Sequence, residues 1–432
     1  MTTLRARIRE LQGRQRERAN PQLLTRRGAG LLGAALGLWL VSRAFGVREL
    51  SMLALVIVVL LVLAVAATRI ASTRLAVDRI VEAPRLHHGH QGSVRIRLRN
   101  VGRLPTAILD VYDEVAPILA EHSRAVLPPL PAGGTAGFRY QLHGRLRGRW
   151  QVGPVRVALR DPFGLAVRTQ RLASVGEVVV YPPIVALPPG LPLAGHLGTG
   201  ASGRRRPLAR GDDLSIVREY VRGDDLRKVH WRSTAHRGKL MVRQDEAPQH
   251  PQASLVLDLR AARHLGHGPA SSLEYAVTAA ASIAMHLAAR SYAITLLTGP
   301  LTAPPRAITG LLALEQLAAA APIRDEAVLA PLWQQLATGT AGHGTLLVVA
   351  TVPNASELRQ MVRAGRGFPA RTALLIDAGS FRRRRDGLPD PAAAAAALRT
   401  AGWRVAVQRA GEPLDGVWHE LLAQRVHRGT GA

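Results

Sequence analysis

Two pairs of aspartates are the residues of this chain whose type and spacing most directly suggest chemistry. The pentapeptide RGDDL occurs at Arg210–Leu214 and again at Arg222–Leu226, which places four carboxylates within 14 residues. Carboxylate oxygens are the ligands that hard divalent cations prefer, and a bound cation can activate water for hydrolysis. Arginines precede both pairs, however, and Arg227 and Lys228 follow the second pair. We therefore favour ion pairing among these side chains over a metal cluster.

Two histidines, His230 and His236, lie just after the second aspartate pair. Their spacing does not place them on one helical face, and the chain has no cysteine, so a zinc site is not predicted. The sequence patterns of serine hydrolases, zinc peptidases, P-loops and dinucleotide-binding loops are absent from the strand–helix contexts that they require. The sequence therefore predicts neither an enzyme nor a cofactor. A membrane-tethered, divalent-metal-dependent hydrolase that uses the aspartate pairs is the alternative.

A further carboxylate, Asp258, follows the apolar stretch ASLVLDL. Ligands of open parallel sheets bind at the carboxyl ends of the strands, so Asp258 is a weak candidate metal ligand. This part of the chain resembles a von Willebrand factor A fold, which implies a metal site beginning Asp-x-Ser-x-Ser. Here Arg260 and Ala262 occupy the two hydroxyl positions, and Arg260 brings a positive charge to the place of an ion. We expect no bound metal, with Asp258 either capping a neighbouring helix or pairing with Arg260.

The elements that would position these residues begin with two apolar segments behind a basic tail. Residues 1–27 carry eight arginines, Gly28–Val47 contains only Ser42 and Arg43 as polar residues, and Leu50–Ala67 has no charge. Each segment is long enough to cross a bilayer core of about 30 Å. Arginines flank the cytoplasmic ends of membrane helices, so we expect a two-pass inner-membrane protein with its N-terminus and C-terminal domains in the cytoplasm.

The remainder of the chain shows two different hydrophobic patterns. Up to about Leu187, stretches such as SVRIRLRN alternate apolar and polar residues, as in strands with one buried face. After Gln252, near-continuous apolar strands alternate with helical patterns, which predicts a parallel sheet covered by helices. Within the charged segment between them, Asp224 or Asp225 is expected to cap a helix that carries Val229 and ends near Gly238.

The formal charge of +27 makes nucleic-acid binding a hypothesis to weigh, since basic side chains bind phosphates. No groove-reading motif and no cluster of stacking aromatics accompanies the arginines. We therefore expect no specific nucleic-acid binding.

The stretch LSIVREYVRGDDLRKVHWRSTAHRGKLMVRQDE is similar to the signature of the domain-of-unknown-function family 58. The upstream stretch RGRWQVGPVRVALRDPFGL resembles the β-rich region of the same family. The resemblance implies a bacterial membrane-anchored adaptor that works with a MoxR-type AAA ATPase and other membrane proteins. It also implies an interaction or domain-junction role for the matching residues, which are Arg218, Tyr220, Gly223, Asp224, Asp225, Arg227, Trp231 and Arg243.

The predicted fold class is α+β and multidomain, with a bilayer contact through residues 28–67. The predicted parts are a basic tail (1–27), two transmembrane helices (28–69), a β-sandwich-like domain (70–187), a Pro/Gly-rich linker (188–216), the signature segment (217–252) and a von Willebrand A-like, Rossmann-like α/β domain (253–428).

Overall fold

The computed structural model describes residues 24–71, 74–191, 215–220, 229, 231–245, 251–303, 305–340, 344–382 and 389–424. These residues form two compact units. The first contains the described residues up to Val185 together with Leu265–Ser282 and Leu311–Pro322, and the second contains the rest.

Two apolar helices open the first unit, α1 (Arg26–Phe45) and α2 (Arg48–Ile70). Their mean hydropathy is 1.4 and 3.1, so both are long and apolar enough to cross a membrane. Gly46 ends α1 with a φ of 64°, a left-handed conformation that glycine adopts without strain, and α2 follows at once. The structure therefore confirms two candidate membrane-spanning helices near the N-terminus.

Ten strands follow in the same unit. They are β1 (Leu75–Val81), β2 (Arg85–Leu86), β3 (Gln91–Asn100), β4 (Ile108–Asp113), β5 (Arg124–Leu127), β6 (Thr135–His143), β7 (Gly148–Val152), β8 (Val155–Arg160), β9 (Val167–Leu172) and β10 (Gly176–Val180). They form three sheets, with the strand orders β1-β3-β6, β5-β4-β8-β9 and β2-β10-β7. One core takes buried residues from all three sheets, such as Ile96, Val111 and Val178.

The alternation in β3 is confirmed residue by residue. Val94, Ile96 and Leu98 are fully buried, whereas Arg97 and Arg99 are exposed. Burying one face of the strand fixes its register, because a shift of one residue would turn the arginines into the core.

The signature segment contains β11 (Ser215–Glu219), α3 (Trp231–Arg237) and β12 (Met241–Asp245). β11 and β12 are antiparallel, with Arg218 opposite Val242. The prediction that Val229 lies on the helix is wrong, because Val229 forms an antiparallel bridge with Val242 and α3 begins only at Trp231. The β-branched side chain of valine suits this extended conformation.

An all-parallel sheet follows, with strands β13 (Gln252–Leu257), β14 (Ala293–Leu297), β15 (Thr345–Thr351), β16 (Ala370–Ile376) and β17 (Arg404–Gln408). The helices between and after them are α4 (Ser272–Ala288), α5 (Gly310–Ala319), α6 (Leu329–Ala337), α7 (Ala355–Gly365), α8 (Pro391–Thr400) and α9 (Leu414–Ala423).

The strand order of this sheet is β14-β13-β15-β16-β17, or 2-1-3-4-5 in chain order. This is the order of doubly wound, flavodoxin-like sheets. The central strand β15 is buried along its whole length, as expected for a parallel strand with covered faces. The structure thus confirms an α+β multidomain chain whose C-terminal part contains a parallel sheet.

Candidate functional site

The point where the strand order reverses lies between β13 and β15, and this is where doubly wound sheets bind ligands. Asp258 directly follows β13, and Thr351 is the last residue of β15. The Thr351 hydroxyl donates a hydrogen bond of 2.9 Å to Asp258 Oδ2. Two polar side chains that are 93 positions apart in the chain therefore meet at the expected ligand-binding edge.

Arg260 lies at this edge and forms a bidentate ion pair with Asp258. Its Nε donates to Asp258 Oδ1 and its Nη2 to Asp258 Oδ2, each at 2.9 Å. The backbone N–H of Arg260 also donates to Oδ1 at 3.0 Å. Asp258 is fully buried and Arg260 is only 4% exposed, so the pair is shielded from water. Bidentate pairs of this kind are both strong and geometrically specific.

A second carboxylate extends the network on the other side of Arg260. Glu357 accepts hydrogen bonds from Arg260 Nη1 and, at 2.7 Å, from Arg263 Nη2. The same glutamate completes the capping box of α7 with Asn354, whose side chain accepts from the Glu357 backbone at 2.9 Å. Two carboxylates and two guanidiniums thus neutralise one another at the start of a helix.

Electrostatics keeps Asp258 ionised. Burial is the largest influence on its pKa and acts to raise it, but the hydrogen bonds and charge of Arg260 outweigh burial. The pKa of Asp258 therefore lies below its ordinary value. The guanidinium supplies the positive charge that a divalent cation would supply in a metal site.

The space beside this network is small. A cavity of about 20 Å³ is lined by residues from the ends of β15 and β16, among them Thr351 and Asp377. That volume accommodates about one water molecule. Within the described ranges, three His, Cys, Asp or Glu side chains do not come together at any place suitable for a metal ion. The structure thus pairs Asp258 with Arg260, one of the two expected arrangements.

Only some of the signature residues lie in the part of the chain that the structure describes. Arg218 and Arg243 lie on the paired strands β11 and β12. Tyr220 is half-buried, and its backbone N–H donates to the Leu240 carbonyl at 2.8 Å. Trp231 begins α3 and is 70% exposed. The remaining predicted residues lie outside the described residues; they are Gly223, Asp224, Asp225 and Arg227.

Comparison with known proteins identifies this segment. A family model described as "Protein of unknown function DUF58" matches residues 216–351. Residues 216–351 belong to the DUF58 family. The match covers β11 to β15, and therefore both Asp258 and Thr351. No curated protein matches the chain.

Several solved structures each resemble about a quarter of this chain. They include the CARDB domain of the PF1109 protein from Pyrococcus furiosus, at 11% identity over 24% of this chain and 86% of that chain, with a TM-score of 0.18. A complex of zinc 2-glycoprotein and prolactin-inducible protein from human seminal plasma shows 10% identity, coverage of 25% and 97%, and a TM-score of 0.20. The alkylpurine DNA glycosylase AlkC of Pseudomonas fluorescens shows 17% identity, coverage of 27% and 33%, and a TM-score of 0.18. TM-scores this low establish no relationship between these proteins and this chain.

Sequence reasoning missed several residues that shape the first unit and the ligand-binding edge of the parallel sheet. Thr351 and Glu357 were missed because their closeness to Asp258 depends on how distant strands pair. Arg147 was missed as well. Its side chain is fully buried, pairs with Glu274 through bonds of 2.7 and 3.1 Å, and donates to the Leu317 and Ala320 carbonyls at the end of α5. Arg147 is one of three arginines in the stretch "HGRLRGRW", and no local pattern distinguishes it from Arg145 and Arg149.

Proposed function

We propose that the chain is a non-enzymatic, membrane-anchored adaptor of bacteria whose cytoplasmic part binds a protein partner, a MoxR-type AAA ATPase. The observation that carries this proposal is the ion-pair network at the ligand-binding edge of the parallel sheet. Arg260 fills the position that a substrate or metal ion would need, and the adjoining cavity holds about one water molecule. A site of this kind suits a structural role better than a catalytic one.

The membrane arrangement is part of the proposal. α1 and α2 would cross the inner membrane, with Arg26, Arg27 and Arg69 near their cytoplasmic ends. The chain after α2 would then lie in the cytoplasm, where an AAA ATPase is found.

The von Willebrand A-like assignment of the second unit also belongs to the proposal. It is supported by the carboxylate of Asp258 at the end of the first strand of an α/β sheet. The altered motif, with Arg260 paired to that carboxylate, argues for binding without a metal bridge. The hydrolase alternative gains no support within the described ranges, and both aspartate pairs lie outside them.

The exposed Trp231 is the best-placed docking residue of the signature segment. A tryptophan that leaves 70% of its surface in solvent adds little to the fold, and tryptophans are enriched among the residues that dominate binding energy. The basic side chains of His236 and Arg237 are exposed on the same helix. This helix therefore offers an aromatic anchor with a basic rim.

Co-purification of the detergent-solubilised full chain with a MoxR-type ATPase from the same cell tests the proposal. We expect the wild-type chain to retain the ATPase, Trp231→Ala to reduce its recovery at least about tenfold, as loss of a binding hot spot does, and Asp224→Ala to weaken it. Val126→Ala is the matched control, since Val126 is an apolar residue with 65% exposure outside the signature segment. Failure of the wild-type chain to retain the ATPase would refute the proposed partner.

A further inference from the structure

The loop that joins β8 to β9 is fixed in shape by a buried aspartate. Asp161 is only 2% exposed, and its two carboxylate oxygens accept hydrogen bonds from the backbone of Phe163 at 2.9 Å and of Ala166 at 2.6 Å. Gly164 donates to the Asp161 carbonyl and has a φ of 66°, as a tight turn requires. These hydrogen bonds therefore fix the backbone of the loop at Phe163.

The same loop is attached to the start of the helical hairpin. The Thr25 hydroxyl, which caps α1, donates to the Gly164 carbonyl at 2.6 Å, and the Thr25 backbone N–H donates to the Leu165 carbonyl at 2.8 Å. Gly28 lies against that carbonyl so closely that a Cβ atom at this position would clash with it. Backbone bonds and a close approach thus join the loop to α1.

The loop reaches the apolar part of α2. Leu165 and Ala166 form one buried cluster with Leu61 and Ala64 of α2. Ala67 is the last residue of the uncharged stretch, and Leu61 precedes it by six residues, which is about 9 Å along a helix. If α2 crosses a bilayer, the loop lies within about 9 Å of the level where the hydrocarbon core meets the headgroups.

Phe163 is the residue that this loop leaves uncovered. Its side chain is 64% exposed, although it stands two residues from the buried Leu165. Exposed arginines lie in the elements that adjoin this loop, at the start of α1, at the end of α2 and in β9; they are Arg26, Arg27, Arg69 and Arg168. An aromatic ring among arginines is the composition of a surface that sits at the interface of an anionic membrane.

We infer that the Asp161–Ala166 loop is a membrane-surface docking element, in which Phe163 inserts into the interfacial layer of an anionic lipid bilayer. The inference rests on the proposed membrane anchoring, since the hairpin determines the depth of the loop relative to the bilayer. It adds a second lipid contact, made by the β-rich part of the chain, which holds that part against the membrane surface. Neighbouring arginines would contact the lipid phosphates.

Because the chain has no cysteine, single cysteines can be introduced for spin labelling. The test uses the full chain in vesicles of phosphatidylcholine and phosphatidylglycerol, with a nitroxide at Phe163→Cys, Trp39→Cys or Val126→Cys. Accessibility to oxygen, which concentrates in lipid, is compared with accessibility to a water-soluble nickel complex. Trp39 reports on the hairpin, while Val126 matches Phe163 in exposure and lies on β5, at the sheet edge opposite β9.

We expect the oxygen-to-nickel ratio at residue 163 to approach that at residue 39 and to exceed that at residue 126 several-fold. A water-like ratio at residue 163 beside a lipid-like ratio at residue 39 would overturn the docking inference and leave the membrane anchor intact. Shielding of residue 163 from both reagents would mean that protein, such as a second copy, covers it, and would also overturn the inference. A water-like ratio at residue 39 would refute the membrane anchor itself, together with the inference that depends on it.

Discussion

Arg260 stands at the position where a doubly wound sheet would ordinarily leave room for a ligand. It bonds both oxygens of Asp258 and also reaches Glu357, so that one guanidinium joins β13 to the start of α7. The cost of burying these charges is offset only while all of them remain paired. Removing one partner should therefore destabilise the fold more than removing both partners.

We expect Arg260→Met to destabilise the β13–β15 region by about 3–5 kcal/mol at pH 7, because it leaves the Asp258 carboxylate buried without its guanidinium partner. The double variant Asp258→Asn/Arg260→Met should recover most of that loss. Hydrogen exchange of the β13 and β15 peptides in the detergent-solubilised full chain measures both. Equal protection in the wild type and Arg260→Met would contradict the role of the pair.

The pH dependence of this loss has a definite sign. In the wild type the pKa of Asp258 is lowered, so its contribution to stability is present above its unfolded value of about 3.9 and is lost below it. In Arg260→Met, burial acts without opposition from Arg260 and raises that pKa. The stability lost in Arg260→Met should then become smaller as the pH falls from 7 towards 5. In the wild type, Asp258 stays ionised over that range and does not change the stability.

A second buried arginine, Arg147, is expected to stabilise the first unit. Arg147→Met would leave Glu274 and the carbonyls at the end of α5 without their donor, at a cost of about 3–5 kcal/mol. Arg149→Met is the matched control, two residues away, since Arg149 and its partner Glu177 are each 56% exposed and 3.7 Å apart. Exposed pairs contribute little. Similar hydrogen-exchange protection of α4 in both variants would argue against a structural role for Arg147.

At the scale of elements, the contact between α1 and the β8–β9 loop depends on a glycine. Gly28→Ala should push the Leu165 carbonyl away and loosen the loop, because a Cβ atom at that position has no space. Gly30→Ala is the control on the same helix, since a Cβ atom there would meet nothing within 4 Å. Hydrogen exchange at Phe163, Gly164 and Ala166 should rise in the first variant only. A rise in both would point instead to a general effect on α1.

The sequence predicted individual strands and helices better than it predicted the contacts between them. Alternation in β3 and the uninterrupted apolar run of β15 are local patterns, and both strands formed as expected. The bond between Thr351 and Asp258 joins residues 93 positions apart and depends on the register of two strands, which no local pattern encodes. For the same reason, the bridge of Val229 to Val242 overrode the helical pattern that was expected to include Val229.

At the scale of the whole molecule, the proposed topology can be tested with two exposed positions that it places on opposite sides of the inner membrane. Phe45 is 77% exposed at the end of α1 next to the Gly46 turn, and Val126 is 65% exposed in the β-rich part. In intact cells we expect a thiol reagent that does not cross the inner membrane to label Phe45→Cys and to leave Val126→Cys unlabelled until that membrane is permeabilised. Labelling in the reverse order would invert the orientation.

The pairing of Asp258 with Arg260 also bears on how the protein would respond to its ionic surroundings. A domain that binds partners through a bridging magnesium ion loses them when the ion is removed. Here the positive charge is covalently part of the loop and cannot be withdrawn by a chelator. Any association made through this edge of the sheet would therefore not depend on a magnesium ion at Asp258.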